Sequence, residues 1–133
     1  METSKILGDP DVGVNATAVR VPVFFGHSEA VHIETREPIS VESVAELLRE
    51  APGVVLIGDG DDSALPTPAM HGAGRDEVFV ARLRRDHTHE RGINLWVVSD
   101  NVRKGAALNA VQILEVIERS RTQDSVDSAA GQT

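Results

Sequence analysis

Residues 77–99 read EVFVARLRRDHTHERGINLWVVS, and this stretch decides the fold. Two apolar runs, 77–84 and 93–99, carry the valine, isoleucine, phenylalanine and tryptophan that pleated strands favour. The stretch 85–92 between them is polar and joins them as a connection between neighbouring strands. Working upstream, Val54 to Ile57 is a short apolar run whose composition predicts a buried strand. A helix precedes it, with Ser40 as N-cap and Glu42 placing a carboxylate where the helix dipole favours it. Val44, Leu47 and Leu48 form its apolar stripe, and Pro52-Gly53 stops it.

Two further strands are expected before that helix. Residues 27–35 alternate with Val31 and Ile33 on one face. Residues 15–23 place Thr17, Val19, Val21 and Val23 on one face, with Ala18 and Arg20 on the other. The turn Phe24-Phe25-Gly26 separates the two. The opening residues 1–7 read as the end of a helix closed by Gly8 and Asp9-Pro10, an opening that fits a truncated chain. Residues 58–74 are mostly Gly, Asp, Pro, Ser and Ala and predict an irregular surface loop. Downstream, residues 103–121 predict a last helix. Its apolar positions Leu108, Val111, Leu114, Val116 and Ile117 cover more than one stripe, so burial against two surfaces is expected. Residues 122–133 are small and polar and predict a disordered tail. Strands outnumber helices, which predicts an α+β fold: a mixed, largely antiparallel sheet with helices on one face.

The chain has 133 residues, enough for one domain and too few for two ordinary ones. A hydrophobic fraction of 41% supports a packed core rather than disorder. The formal net charge of -8 argues against a nucleic-acid partner, which would need a basic surface. No apolar run approaches the roughly 18 residues of a membrane span, so no membrane partner is expected and the cytoplasm is the default location. With no cysteine in the sequence, disulfides, thiolate metal sites and a cysteine nucleophile are all excluded within this chain.

Arg20 and His27 flank the Phe24-Phe25-Gly26 turn. A hairpin closing there would set them opposite each other on adjacent strands. Arginine grips a carboxylate by two parallel hydrogen bonds, and histidine moves a proton near neutral pH. Together they suit an acidic substrate, although an exposed hairpin with two ordinary polar residues has the same spacing. His32 has the opposite parity to His27 and reads as a structural or surface residue. His71, His87 and His89 fall in loops; His87, His89 and Glu90 imply no ligand geometry, and no metal site is expected. At the start of the last helix, Asp100 or Asn101 can cap. Lys104, with free amides and the small run Gly105-Ala106-Ala107, could meet an anion or cofactor. A small-residue helix packed closely on its sheet would look the same. Glycine-rich dinucleotide, phosphate-loop and nucleophile-elbow motifs are all missing.

Two stretches resemble the aspartate-semialdehyde dehydrogenase family: AVRVPVFFGHSEAVHIE at 18–34 and SDNVRKGAALNAVQ at 99–112, with METSKILG at 1–8 also similar. The resemblance extends over residues 1–118 and is closer than that to N-acetyl-glutamyl-phosphate reductases. It implies the C-terminal portion of a two-domain enzyme: a catalytic and dimerisation domain, residues 1–121 here and incomplete, beside a Rossmann domain that binds NADP. Such enzymes reduce aspartyl phosphate to aspartate semialdehyde for lysine, threonine and methionine synthesis. A cysteine thiolate forms the thioester that is then reduced. By motif, Arg20 resembles the arginine that holds the substrate carboxylate, and His27 the general acid/base. Lys104, Gly105, Ala106 and Asn109 resemble the segment that lies near the nicotinamide.

The family's nucleophilic cysteine and its glycine-rich fingerprint have no counterpart here. The expectation is therefore half of an active site, inactive alone. It would be completed by a missing N-terminal half or, as the alternative, would serve as a non-catalytic dimerisation module, with a homodimer in view.

Overall fold

The polar connection between the two apolar runs is built around Asp86. Its Oδ1 accepts the Thr88 N–H and hydroxyl, both at 2.7 Å, while its own N–H reaches the Gly92 carbonyl at 2.8 Å. A side chain at Gly92 would stand 2.6 Å from the Asp86 Cβ, so only glycine closes this corner. The corner folds β3 (Val78–Arg85) onto β4 (Gly92–Ser99) in antiparallel pairing. The computed structural model describes residues 2–58 and 65–130, with side chains as far as 123.

On the other flank of β4 lies β1 (His27–Glu34), antiparallel, running from His27 opposite Ser99 to Glu34 opposite Gly92. β2 (Val54–Leu56) pairs with β3 in parallel, giving the order β1-β4-β3-β2. The expected α+β fold with a mixed, largely antiparallel sheet is observed. A helix, α2 (Val41–Glu50), carries the chain from β1 to β2, as a parallel edge demands. Ser40 caps it, its side chain accepting the Ser43 N–H at 3.0 Å.

α2 lays Val41, Val44 and Leu48 on the core residues Val80, Ile93 and Leu95. Leu47, expected in that stripe, points outward at 61% exposure. The stripe is narrower than the sequence implied because only the i, i+3, i+7 row of this short helix faces the sheet. β2 is an edge strand and half-buried, with Val55 turned outward rather than enclosed.

The sheet's second face carries Phe79, Ala81 and Val98 and is covered by chain rather than by a helix layer. Residues 65–74 were expected on the surface; instead Pro66 and Gly72 are buried there, and the Trp96 Nε1–H donates to the Pro66 carbonyl at 3.0 Å. A helical turn at Pro68–Gly72, capped by Thr67, sets the His71 ring edge-on to Phe79. The rest of that loop, residues 59–64, lies outside the described residues.

Three expectations about the flanks are corrected. α1 (Glu2–Leu7) ends at Gly8 as read, but residues 15–23 form no strand. Their alternating valines meet no partner edge among the described residues, and without ladder hydrogen bonds the pattern alone does not make a strand. The last helix, α3 (Leu108–Ala130), begins five residues later than expected. Before it, Lys104 (ψ 128°), Gly105 (φ 79°) and Ala106 (φ -138°, ψ -119°) break the helical path. α3 extends as far as Ala130, and residues 131–133 lie outside the described part. Finally, Val111, Leu114, Val116 and Ile117 are exposed rather than buried on two surfaces, since the main neighbour of α3 is the 103–107 turn.

Candidate functional site

One end of the sheet, where β1 begins and β4 ends, gathers most of the motif residues. Cross-strand register puts His27 against Ser99. The His27 Nε2 lies 2.8 Å from the Ser99 hydroxyl, and Nδ1 lies 3.5 Å from a Glu29 carboxylate oxygen two residues along the same face. The imidazole is 45% exposed, while Ser99, which it touches, and the next residue Asp100 are each only 4% exposed. The ring thus stands partly in solvent with one nitrogen on a buried hydroxyl.

Asp100 organises the surrounding loops. Its Oδ2 accepts the Gly74 N–H at 2.8 Å and its Oδ1 the Val102 N–H at 2.9 Å. Its backbone carbonyl accepts the N–H groups of Arg103 and Lys104. The Gly74 and then the Val102 amide hold the Asp100 carboxyl below its usual range, because both bonds favour the ionised form. Two glycines let the chains approach. Gly26 has φ +82°, and a side chain there would meet Pro68 and the Ser99 carbonyl at 3.0 Å. A side chain at Gly72 would meet Ser99 backbone atoms at 3.1 Å.

The segment expected to meet a cofactor follows directly. The Gly105 N–H donates to the Asn109 side-chain oxygen at 2.8 Å, which joins those two residues. Lys104 is tied instead to Gln112, Nζ to Oε1 at 3.1 Å, and Ala106 is exposed. Nothing stands within 4 Å of where a Gly105 side chain would project. Arg103 pairs with Asp76 and locks the turn to the loop before β3. The expected free helix-start amides at Lys104 are absent, because that amide bonds to Asp100 and the helix starts later.

Arg20 is not brought opposite His27 by strand pairing. It lies on the exposed segment before Gly26 and makes no hydrogen bond or ion pair among the described residues. Asp100, as a capping residue, and Gly26, as a turn residue, are legible in the sequence; Ser99, Glu29 and Gly72 are not, because cross-strand register and loop packing, which bring them to His27, leave no mark in the order of residues.

A second polar cluster occupies the opposite end of β1. His32 Nδ1 lies 3.1 Å from the Asn94 side-chain oxygen, and Nε2 lies 3.3 Å from a Glu34 carboxylate oxygen. Asn94 first, and then Glu34, raise the His32 pKa, since both acceptors are filled only when both ring nitrogens carry protons. His89 reaches Glu34 at 4.0 Å, but no group of three or more His, Asp or Glu could hold a metal ion among the described residues. No helix among those residues is long and apolar enough to cross a membrane.

The family model described as "Semialdehyde dehydrogenase, dimerisation domain" matches residues 1–104. The chain belongs to that family. Aspartate-semialdehyde dehydrogenase of Shewanella sp. (strain DB6705) is 58% identical over 118 residues, covering 89% of this chain and 34% of the relative. Aspartate-semialdehyde dehydrogenase 2 of Vibrio cholerae is 54% identical with the same coverage of both chains. The crystal structure of Vibrio cholerae aspartate semialdehyde dehydrogenase II complexed with ASA superposes with a TM-score of 0.83 at 53% identity, over 89% of this chain and 34% of that one. The Francisella tularensis enzyme, at 22% identity and a TM-score of 0.76 over 88% of this chain and 33% of that one, shares the fold. This chain therefore spans about a third of the length of the relatives it matches, and it aligns with the C-terminal portion of the enzyme.

Proposed function

We propose that this chain supplies the acid/base and substrate-gripping half of an NADP-dependent aspartate-semialdehyde dehydrogenase. The reaction converts aspartyl phosphate to aspartate semialdehyde, on the cytoplasmic route to lysine, threonine and methionine. The observation that carries the reading is the His27 ring, exposed on its outer side and anchored at 2.8 Å on buried Ser99, beside the turn that Asp100 fixes. An imidazole held this way accepts a proton from an approaching nucleophile and returns it to a departing group. Arg20 supplies a guanidinium fork for the substrate carboxylate, and its place on an exposed segment leaves it accessible to a small acidic molecule.

The nucleophile must come from outside this sequence, which holds no cysteine. The cofactor's contribution, when bound, is a hydride for the carbonyl carbon. The 103–107 turn fits an edge of such a cofactor, because the open face at Gly105 admits a flat ring and the Asn109 side chain sits beside it. Lys104, Gly105, Ala106 and Asn109 would line that contact. The exposed apolar side of α3 and the free edge of β1 supply surfaces for the rest of the catalytic unit and for a second copy in a homodimer.

A test mixes the purified chain with an N-terminal half that carries the cysteine and the dinucleotide fold. NADP-dependent oxidation of aspartate semialdehyde in phosphate should arise in the mixture and in neither part alone. His27→Ala should lower that rate by about 10²- to 10⁴-fold, the usual weight of an acid/base group. Association without any rate would instead favour a non-catalytic dimerisation module, the second reading, which rests on the exposed α3 surface.

A further inference from the structure

Ser99 joins a buried hydroxyl to an imidazole that would otherwise be free to turn. Its backbone is fixed by the β4 ladder and by Gly72, which packs so closely that a side chain there would stand 3.1 Å from the Ser99 carbonyl. The hydroxyl meets His27 Nε2 at 2.8 Å, and Glu29 lies 3.5 Å from Nδ1. The three groups form a chain running across β4 to β1 and then along β1.

We propose that Ser99 is a positioning residue: together with Glu29 it holds the His27 ring in one orientation and one tautomer. The proposal rests on the reading of His27 as the acid/base group. Histidine χ2 is a broad, roughly two-fold torsion, so an exposed ring samples both faces unless hydrogen bonds select one. A carboxylate beside Nδ1 favours a proton on that nitrogen. Nε2 is then the acceptor, and the Ser99 hydroxyl donates to it. A solvated neutral histidine side chain prefers the opposite tautomer, with the proton on Nε2, so the arrangement leaves a signature that solvent alone would not produce. Ser99 does not itself fit a nucleophile's part, because at 4% exposure it offers no approach to a substrate carbonyl.

Nitrogen-15 NMR of the neutral His27 ring reads the tautomer directly in the chain as it stands. The wild type should show mostly the Nδ1–H form. Ser99→Ala should shift the ratio toward Nε2–H by about fivefold, the weight of one hydrogen bond. Ser99→Thr, which keeps the hydroxyl on a strand-favouring side chain, should restore it. Unchanged β1 and β4 amide shifts identify a folded variant. An identical ratio in the wild type and in folded Ser99→Ala overturns the proposal. A mixture with the N-terminal half that associates yet shows no activity sinks the acid/base reading of His27, while the tautomer ratio still decides for or against Ser99.

Discussion

Asp100 shows how one side chain can tie several segments together. Its two carboxylate oxygens take the amides of Gly74 and Val102, and its carbonyl takes two more, so the loop before β3 and the turn after β4 meet on a single residue. Those amide bonds stabilise the ionised carboxyl in the folded chain and depress its pKa. The linked stability is present above the unfolded value of about 4 and is lost as pH falls through the lower folded value. In thermal melts, the wild type should therefore lose stability on going from pH 7 to pH 3 more steeply than Asp100→Asn does. Parallel curves for the two proteins would remove Asp100 from the acid-sensitive set. His32 has the opposite sign: its raised pKa means a contribution present below 6.5 and lost as pH rises through the folded value. At this scale the sequence announces Arg20, His27 and Asp100 by residue type and motif. It is silent on Ser99, because a serine becomes a partner for His27 only when register sets the two side by side.

Elements built from local signals match the chain's own punctuation. α2 starts at Ser40 because its side chain takes an orphan amide, and the β3–β4 corner closes because Asp86 and Gly92 leave no room for another arrangement. Gly26 is a third such point, and it controls the start of β1. Its φ of +82° is unfavourable for any side chain, and a methyl group would press on Pro68 and on the Ser99 carbonyl at 3.0 Å. Gly26→Ala should cost about 1–3 kcal/mol through combined backbone strain and crowding. Urea unfolding should show a lower midpoint with an unchanged slope. A midpoint within error of the wild type would mean that the turn relaxes freely and does not set His27. One segment whose pattern asks for a distant partner is not a strand. Residues 15–23 have the alternation of a strand, yet a strand exists only where another edge satisfies its amides.

For the whole molecule, the core lies between α2 and one face of the sheet, and α3 stands outside it. Removing α3 should therefore cost the sheet little. A chain ending at Ala107 should unfold within about 2 °C of the full chain, less than the 4–8 °C that 1 kcal/mol shifts a domain of this size class. In the intact chain, α3 amides should exchange much faster than those of β3 and β4 and should gain protection when the N-terminal half is added. Equal protection in α3 and the central strands before that addition would show that α3 packs on the sheet after all. The apolar side chains Val111, Ile113, Leu114, Val116 and Ile117 are what such an addition would cover.

By itself the sequence determined the α+β class, the hairpin of β3 and β4, the capped α2 and the family that the two motifs mark. All of these follow from short-range chemistry: side-chain period, capping hydroxyls, turn glycines and motif identity. Tertiary structure alone decided that β1 sits beside β4, that residues 15–23 stay unpaired among the described residues, that α3 starts after a kink and exposes its apolar side chains from Val111 to Ile117, and that His27 rests on Ser99. Each of those depends on which edges and faces meet across the chain, and pairing of that kind is a long-range choice that no local stretch of residues encodes.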